Sequence, residues 1–239
     1  MRTPLSVPDA WQAWCAGRRW IRITDGESGA QVYALHSSTG PSSFIKQVSG
    51  DELRGALRAE HARLQWLADR VHVPRVLGYV EHGNTATLLT EALSGRSARD
   101  ELVEAEALGV HAIAATASAL GAWLRALHQQ PLDICPFDVG FAVRLLEGRR
   151  RVAAGLVDEV DFDEARRGWR ATDVVEAIDA LLPLPFERVL THGDFSLDNV
   201  FVERGQVTGV LDVGRAGVAD PYQDLAICWR DLGEFGVSA

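Results

Sequence analysis

The sequence predicts an α+β protein with two lobes, a small antiparallel sheet over residues 1–91 and a mainly helical part over residues 92–239. Two observations predict this class. Short apolar segments typical of strands dominate the first part, whereas apolar residues recur at helical spacing through much of the second. The chain has 239 residues, 47% of them hydrophobic, and this is enough to bury a large core.

The first lobe is predicted to contain strands that are separated by turns and interrupted by one helix. The strand signals lie at residues 20–23, 31–35, 44–46, 76–80 and 87–90. A helix is predicted from about Asp51 to Asp69, because leucines recur there at helical spacing, at Leu53, Leu57, Leu64 and Leu67. Residues 1–17 are predicted to form an amphipathic segment that precedes the first strand. The first lobe is therefore expected to be an antiparallel sheet that carries one helix.

The second lobe is predicted from longer helical patterns and short strands. Helices are expected at residues 110–128, 142–154 and 172–182, and strands at residues 189–190, 200–202 and 207–211. An open sheet followed by a helical lobe leaves a cleft between them, which is a usual position for a ligand site. The boundary near residues 90–92 is then a hinge.

Composition limits the partners and the cellular location. The 24 basic and 33 acidic residues give a formal net charge of −9, which repels a nucleic-acid backbone and suits a cationic partner better. Cys15, Cys135 and Cys228 are widely separated, which argues against a disulfide framework or a zinc cluster. No apolar run approaches the roughly 18–20 residues that cross a bilayer, and the start does not resemble a secretory leader. We therefore expect a cytoplasmic protein without a membrane or nucleic-acid partner.

Polar residues with the chemistry of phosphoryl transfer lie near the end of the chain. Asp194, in His192-Gly193-Asp194, is a candidate base that accepts the proton of a hydroxyl. Asn199 and Asp212 offer the hard oxygen ligands that Mg²⁺ prefers. Each motif alone is also compatible with a turn or a strand end. Their joint order and spacing match the catalytic and metal loops of kinases, so the sequence predicts a magnesium-dependent phosphotransferase.

Residues that would hold a nucleotide lie upstream. Lys46 ends an apolar strand, and Glu60 follows on the predicted helix, an order that suits an ion pair presenting the lysine to phosphates. The loop of residues 25–30 lies between two strands, and its backbone N–H groups and the Ser28 hydroxyl are candidates for phosphate contact. The loop lacks the full Gly-x-Gly-x-x-Gly pattern, and a plain hairpin loop is the alternative.

Residues 158–164 contain five acidic and no basic side chains. A cationic substrate is one interpretation of this segment, and a solvated surface loop is the other. The charge pattern by itself leaves both open.

Taken together, these motifs resemble the aminoglycoside 3'-phosphotransferases, bacterial kinases that inactivate kanamycin-type antibiotics. The most specific segments are residues 191–199 (THGDFSLDN) and 212–226 (DVGRAGVADPYQDLA). Weaker similarity lies at residues 124–128, 135–138 and 155–164. The resemblance runs from about Trp20 to the end of the chain and implies a protein-kinase-like two-lobe fold.

The resemblance also implies the reaction, which is phosphorylation of the 3'-hydroxyl of an aminoglycoside with Mg²⁺ and with ATP, or alternatively GTP, as the donor. It makes Asp194 the base and Asn199 and Asp212 the magnesium ligands. The residues it implies in nucleotide binding are Lys46, Glu60, Ser28 and, through the backbone of the hinge, Glu91 and Ala92. The residues it implies near the cationic antibiotic are Asp161, Asp163, Glu164, Arg215 and Arg230. For the two arginines a structural role is the alternative, because Arg215 could pair with Asp231 or with the loop acids and hold the lobe together.

The chain departs from the family pattern at its end. The relatives continue past the helix near residues 222–234 with further helices and an acidic, aromatic tail that contacts the antibiotic, whereas this sequence ends at Ala239. We therefore expect an exposed apolar surface and either a monomer or a weak homodimer. Two other functions stay open. One is phosphorylation of another hydroxyl, as on streptomycin at 3'', a macrolide or an amino alcohol, and the other is an inactive nucleotide-binding module.

Overall fold

The computed structural model describes residues 5–24, 29–38, 40–132, 134–181, 185 and 187–237. In these ranges the strands are β1 Arg19–Ile23, β2 Gln31–Ser37, β3 Gly40–Ser49, β4 Val76–His82, β5 Thr85–Glu91, β6 Arg96–Ser97, β7 Val189–Thr191, β8 Val200–Glu203, β9 Gln206–Val210 and β10 Gly217–Ala219. The helices are α1 Asp9–Cys15, α2 Asp51–Leu67, α3 Ala98–Leu108, α4 Val110–His128, α5 Phe141–Ala153, α6 Ala171–Ala180 and α7 Tyr222–Gly233. Short 3-10 turns lie at Glu159–Asp161, Glu164–Arg166 and Val213–Arg215.

An antiparallel sheet of five strands, in the order β1-β2-β3-β5-β4, forms the first part of the described chain. Alternate residues of a strand face opposite sides of a sheet. On one face, Ile45 of β3 and Leu89 of β5 belong to a buried cluster against which Trp11 of α1 packs. On the other face, Val48 of β3 is buried in the main core together with Leu57 of α2. The two apolar faces explain why both helices pack against this sheet.

Helix α2 covers the second face and confirms the helix predicted at residues 51–69, although it ends at Leu67. Its buried residues are Leu57, Glu60, Leu64 and Leu67. Spacings of three and four put these residues on one face of the helix, so a carboxylate lies within the buried face. Lys46 lies two residues from Val48 and therefore on the same face of the sheet. This parity brings the lysine toward Glu60.

Helices α3 and α4 pack together and supply much of the main core. Their buried residues are Ala98, Leu102 and Ala105 in α3 and Thr116, Leu120, Leu124 and Leu127 in α4. Helix α3 was not predicted from the sequence, because two of its three buried residues are alanines, which give a weak apolar pattern. A start signal is nevertheless present, since the Ser97 hydroxyl accepts a hydrogen bond from the N–H of Asp100 (3.1 Å).

Helix α4 is long and apolar enough to cross a membrane by its length and composition, which differs from the expectation that the chain contains no such segment. A core helix can pass the same test of length and composition as a membrane span. One face of α4 is buried in the main core, and its Trp123 stacks on Phe195 with ring centroids 5.5 Å apart. Other positions are exposed, such as Val110 at 72%. The helix is therefore packed into the core along one face.

Large apolar side chains are exposed on α3, α4 and α7, in line with the expected apolar surface. They are Val103, Leu108, Val110, Tyr222, Leu225 and Trp229, each at least 45% exposed. Scattered exposed apolar residues are ordinary on protein surfaces, but the three on α7 recur at helical spacing. Self-association through this surface stays a prediction.

Two small sheets position the loops that follow them. Strand β7 pairs with β10, and β8 pairs with β6 and β9. The Asp194 loop, residues 192–199, joins β7 to β8, and the Asp212 segment, residues 211–216, joins β9 to β10. Because Val200 of β8 lies opposite Val210 of β9, the end of the Asp194 loop lies beside the start of the Asp212 segment. The strands predicted in this region are thus present and bring the two motifs together.

Candidate active site

Helix α7 supports the Asp194 loop through hydrogen bonds to the backbone of the loop. The carboxylate of Asp224 is fully buried and accepts hydrogen bonds from the N–H groups of His192 (2.8 Å) and Gly193 (2.7 Å). About two turns further along α7, the buried carboxylate of Asp231 accepts one from the N–H of Leu197 (3.1 Å). Residues two turns apart lie on one helix face. The same face of α7 therefore fixes the loop at two points.

The imidazole of His192 connects the Asp194 loop to the Asp212 segment. Its Nδ1 accepts a hydrogen bond from the N–H of Asp194 (3.2 Å). The neutral ring then carries its proton on Nε2, which donates to the carbonyl of Leu211 (2.8 Å). Both ring nitrogens are hydrogen-bonded to backbone groups, so His192 has a structural role in linking the two motifs.

Gly193 has a backbone conformation and a neighbour that exclude any side chain. Its φ is +82°, and a Cβ built on it would lie 2.2 Å from the carbonyl oxygen of Arg215. Glycine adopts positive φ without a steric cost and leaves room for a close approach of backbone. The Asp212 segment can therefore lie directly against the Asp194 loop.

Asp194 presents a carboxylate that is not used for structure. Its side chain is 33% exposed, and the nearest cationic group in the described chain is Nη1 of Arg215, 3.9 Å from Oδ2. Its backbone is fixed, because its carbonyl accepts a hydrogen bond from Nδ2 of Asn199 (3.0 Å). Within the described residues no protein group donates a hydrogen bond to the carboxylate. Asp194 is therefore available to accept a proton from a ligand.

Asn199 and Asp212 lie on neighbouring stretches of backbone, since the N–H of Leu211 donates to the carbonyl of Asn199 (2.7 Å). Asp212 is left-handed, with φ 52° and ψ 50°, a conformation that aspartate adopts more readily than most residues. Its side chain is 50% exposed. Because Asn199 uses its amide nitrogen for the Asp194 carbonyl, its side-chain oxygen is left for a ligand.

This donor set fits Mg²⁺. An amide oxygen and a carboxylate are hard ligands, and Mg²⁺ is usually held by few protein groups together with phosphate oxygens and water. Among the described residues there is no set of three or more His, Cys, Asp or Glu side chains placed to hold a metal ion. The fit therefore rests on Asn199 and Asp212 alone.

Lys46 joins the five-stranded sheet to the Asp212 segment. Its Nζ lies 2.8 Å from Oε2 of Glu60 and 3.6 Å from Oδ1 of Asp212. Burial opposes the positive charge, but the attraction of Glu60 and Asp212 outweighs burial and raises the pKa of Lys46. The lysine is therefore charged at neutral pH, and this suits contact with nucleotide phosphates.

The other residues predicted to hold the nucleotide are not brought to this cluster by any described contact. Ser28 lies outside the described residues. In the hinge, the N–H of Glu91 donates to the carbonyl of Arg75 (2.9 Å), and the N–H of Ala92 donates to the carbonyl of Ser42 (3.1 Å). A base that binds to these N–H groups would have to replace the present partners, so the role of the hinge stays a prediction.

The acidic segment, residues 158–164, uses part of its charge for local structure. Asp163 accepts a hydrogen bond from the N–H of Arg166 (3.0 Å) and pairs with the guanidinium of the same residue. Glu159 accepts one from the N–H of Ala171 (2.7 Å), which begins α6. These carboxylates cap turns and a helix, so the segment is more ordered than a solvated charge run.

Asp161 and Glu164 are the acidic residues of this segment that stay available. Both are exposed, and neither makes a side-chain hydrogen bond or ion pair with the described part of the chain. Phe162, between them, lines a cavity of about 510 Å³ that Arg144 also borders. Arg144 donates to the carbonyl of Gly193 (3.4 Å). The acidic segment and a residue that contacts the Asp194 loop therefore border one cavity.

Arg215 and Arg230 lie in different surroundings. Arg215 lies beside Asp194, with Nη1 3.9 Å from Oδ2, and it makes no ion pair with Asp231 in the described part of the chain. The described cationic partners of Asp231 are Arg230, with Nη2 at 3.0 Å from Oδ1, and Arg99, with Nη2 at 3.9 Å from Oδ2. Arg230 thus contacts a carboxylate that supports the loop, although its side chain is 73% exposed. The substrate contacts of both arginines stay predictions.

The supporting role of Asp224 and Asp231 was not predicted from the sequence. The buried residues of α7 are Asp224, Cys228, Asp231 and Leu232. Aspartate is almost never fully buried unless it is paired, so two acids at the spacing of an apolar helix face were a usable signal. A third donor also reaches Asp224, since Nε2 of His128 lies 3.1 Å from its Oδ2.

The pairing of Lys46 with the buried Glu60, and a loop carboxylate beside Asn199 and Asp212, are the arrangement expected of a phosphotransferase with a protein-kinase-like fold. A model of the phosphotransferase enzyme (APH) family matches residues 19–238. The chain belongs to this family.

Comparisons with known proteins agree with this assignment. The chain is 41% identical over 230 residues to an aminoglycoside 3'-phosphotransferase of Escherichia coli, with 96% of this chain and 83% of the relative covered. The crystal structure of the type VIII aminoglycoside-3'-phosphotransferase is 34% identical, with a TM-score of 0.78 and coverage of 93% and 80%. The structure of APH(3'')-Id from Streptomyces rimosus is 27% identical, with a TM-score of 0.81 and coverage of 94% and 81%. These similarities confirm the predicted family and fold.

Proposed function

We propose that this enzyme transfers the γ-phosphoryl group of ATP to the 3'-hydroxyl of an aminoglycoside antibiotic and thereby confers resistance to it. The 41% identity to an aminoglycoside 3'-phosphotransferase supports this acceptor. The structural observation that carries the proposal is the position of Lys46 Nζ, 2.8 Å from Glu60 and 3.6 Å from Asp212. This contact joins a nucleotide-holding sheet to the segment beside the Asp194 loop.

Asp194 is the proposed base. In the reaction the P–O bond to ADP breaks, a P–O bond to the acceptor oxygen forms, and the proton of the hydroxyl passes to the Asp194 carboxylate. The N–H of Asp194 is bonded to His192 and its carbonyl to Asn199, at 3.2 and 3.0 Å. Because its backbone is fixed on both sides, the carboxylate needs little reorganisation to meet the hydroxyl.

Asn199 and Asp212 are the residues that would hold Mg²⁺. When bound, the metal neutralises charge on the phosphates. The backbone hydrogen bond between Leu211 and Asn199, at 2.7 Å, keeps the two ligand-bearing stretches together. Lys46 adds a second positive charge beside Asp212, and Glu60 holds that lysine in place.

The nucleotide is proposed to bind between the sheet and the helical part. Ser28 would contact the phosphates, and the backbone at Glu91 and Ala92 would contact the base. The end of β5 at Glu91 supports a lobe boundary at residues 91–92. The structure of a relative, APH(3'')-Id of Streptomyces rimosus, is known in complex with ADP and streptomycin. This supports ATP as the donor, and GTP is the alternative.

The acidic segment is proposed to bind the amino groups of the antibiotic. Asp161 and Glu164 are exposed and have no described partner, so their charges are free for cations. Asp163 would contribute only if a ligand competes with Arg166. The formal net charge of −9 favours a cationic acceptor over long distances as well.

We also propose a cytoplasmic location, with neither a nucleic acid nor a membrane as partner. The cysteines Cys15, Cys135 and Cys228 are all free, which suits a reducing compartment. The proposed oligomeric state is a monomer or a weak homodimer.

A second candidate is phosphorylation at the 3''-position of an aminoglycoside such as streptomycin. The TM-score of 0.81 to APH(3'')-Id slightly exceeds the 0.78 to the type VIII 3'-enzyme. Sequence identity points the other way, with 34% to the 3'-enzyme and 27% to APH(3'')-Id. We place the 3'-position first because identity follows side-chain contacts more closely than the backbone fold does.

The position of the new phosphate separates the two candidates. We expect turnover of kanamycin with the phosphate on the 3'-oxygen. An analogue that lacks only the 3'-hydroxyl should inhibit without being consumed, because its amino groups remain. Initial rates of ADP release and phosphorus NMR of the product measure both. Consumption of the analogue, or turnover of streptomycin without turnover of kanamycin, would contradict the first candidate.

Asp212→Asn should weaken magnesium-dependent binding of ATP by at least about tenfold. Asparagine tolerates the left-handed backbone of this position. The loss of ATP affinity can therefore be attributed to the missing negative charge and not to a disturbed fold. Calorimetric titration of ATP at several Mg²⁺ concentrations measures it. Asp198→Asn is the control, since that carboxylate is paired with Arg99 at 3.0 Å. Equally tight, magnesium-dependent binding in Asp212→Asn would show that the metal assignment is wrong.

A further inference from the structure

Arg144 is fixed in the first turn of α5, close to the Asp194 loop. The segment before α5 pairs with β10, because the N–H of Val139 donates to the carbonyl of Val218 (3.1 Å) and the N–H of Val218 donates to the carbonyl of Phe137 (2.8 Å). Strand β10 pairs in turn with β7, which leads into the loop. Backbone hydrogen bonds therefore set the position of Arg144 relative to Asp194.

The guanidinium of Arg144 makes one hydrogen bond with the described part of the chain. The residue is half-buried, and its hydrogen bond in the described structure runs from Nη1 to the carbonyl of Gly193 at 3.4 Å, which is longer than usual. No carboxylate of the described residues lies within 4.0 Å of it. Arg63, also half-buried, donates to the carbonyls of Ala216 (2.6 Å) and Ala59 (3.2 Å). An arginine has five N–H donors, so most of those of Arg144 are unused.

A second guanidinium and an open space lie beside Arg144. Nη1 of Arg215 is 3.9 Å from Asp194, and burial, followed by the charge of Arg215, lowers the pKa of Arg144. The two guanidinium charges repel each other, and an anion bound between them would offset that repulsion. Arg144 also borders the cavity of about 510 Å³. Asp220 borders it too, but its carboxylate accepts a hydrogen bond from the N–H of Tyr222 (2.9 Å) at the start of α7.

We propose that Arg144 and Arg215 together bind the phosphate group of the phosphorylated product. They would contact the phosphate oxygens that are not bonded to the sugar. The inference rests on the proposed function, which brings a phosphate to Asp194. As the P–O bond to ADP breaks and the bond to the sugar oxygen forms, the phosphate moves to the side of the cleft where Asp194 lies. Guanidinium groups bind phosphate oxygens in a bidentate manner, and Arg144 has free donors for this contact.

The pair also resolves an electrostatic conflict in the acceptor site. The acidic segment attracts the amino groups of a cationic sugar, but the same charges repel the phosphate that the sugar carries after the reaction. Arg144 and Phe162 of that segment line the same cavity. Two cations beside Asp194 offset the repulsion at the place where the phosphate forms.

Titration with inorganic phosphate in the presence of MgADP tests the pair without an acceptor. Arg144→Met is expected to weaken phosphate binding about tenfold or more, because charge-assisted hydrogen bonds are lost. Arg144→Lys should also weaken it, since lysine lacks the planar fork. The affinity for ADP and the Tm should not change in either variant. The matched control is Arg150→Met, which removes a positive charge from an exposed position of the same helix.

Turnover of kanamycin gives a second readout, in which both Arg144 variants should lower kcat and leave the KM for ATP nearly unchanged. Phosphate affinity within about twofold of the unaltered enzyme in both Arg144 variants would overturn the proposal. An equal loss of affinity in Arg150→Met would also overturn it, because the effect would then follow net charge. A lack of kanamycin turnover by the unaltered enzyme would contradict the proposed function instead, and the phosphate titration would still decide the role of Arg144.

Discussion

Replacement of Asp194 by alanine is expected to lower kcat for aminoglycoside phosphorylation by about 10²–10⁴-fold. Its carboxylate is 33% exposed and is the proposed acceptor of the hydroxyl proton. Nucleotide affinity should change little, since Lys46, Glu60 and Asp212 form a separate set joined at 2.8 and 3.6 Å. A coupled assay of ADP release gives kcat, and calorimetry gives the Kd of MgATP.

The matched control for this variant is Asp198→Ala. Asp198 is a carboxylate of the same loop, but it is 61% exposed and lies 3.0 Å from Arg99. An exposed pair of this kind contributes under about 1 kcal/mol, so its loss should leave kcat nearly unchanged. Normal turnover by Asp194→Ala would remove Asp194 from the role of base. A parallel loss of nucleotide binding would contradict the separation of the base from the nucleotide-holding set.

The contact between Lys46 and Glu60 could be predicted from the sequence because it follows from the side-chain repeats of one strand and one helix. A strand repeats every two residues and a helix every three to four, so Val48 and Leu57 already indicate which faces of β3 and α2 meet. The lysine and the glutamate lie on those faces. To predict the ion pair at 2.8 Å, it was therefore enough to know that the helix following the strand packs against it.

The roles within the acidic segment could be predicted only in part. Charge density indicated a cationic partner, but it did not distinguish carboxylates that cap turns from those that are free. Asp163 and Glu159 accept backbone hydrogen bonds at 3.0 and 2.7 Å, whereas Asp161 and Glu164 have no described partner. The difference depends on which N–H groups the turns leave unpaired, and a charge pattern does not report this.

The support of the Asp194 loop by α7 was not predicted, because its contacts join residues that are distant in the sequence. The partners of Asp224 and Asp231 are backbone N–H groups of residues 192, 193 and 197. A backbone donor has the same chemistry at every residue. The sequence therefore reveals that these acids need buried partners, but the fold decides which partners they find.

Asp224→Ala is expected to have the largest effect on stability. The carboxylate is fully buried and accepts hydrogen bonds from the N–H groups of His192 (2.8 Å) and Gly193 (2.7 Å), with Nε2 of His128 at 3.1 Å. Removing it leaves two buried N–H groups without an acceptor, together with the partly buried ring of His128. Each buried donor without an acceptor costs about 1–3 kcal/mol, so the free energy of unfolding should fall by about 3–5 kcal/mol. At about 2–4 °C for each kcal/mol, the Tm should fall clearly.

Urea unfolding of Asp224→Ala, Asp224→Asn and a surface control measures this loss. Asparagine keeps the shape and one acceptor oxygen, so its effect should be intermediate. Asp179→Ala is the control, because its carboxylate is 40% exposed and pairs with Arg149 at 2.6 Å, and its loss should cost under about 1 kcal/mol. In folded Asp224→Asn, kcat should fall as well, since the backbone before Asp194 loses a fixed point. Unfolding free energies that differ by less than about 1 kcal/mol between Asp224→Ala and Asp179→Ala would contradict the proposed support of the loop by α7.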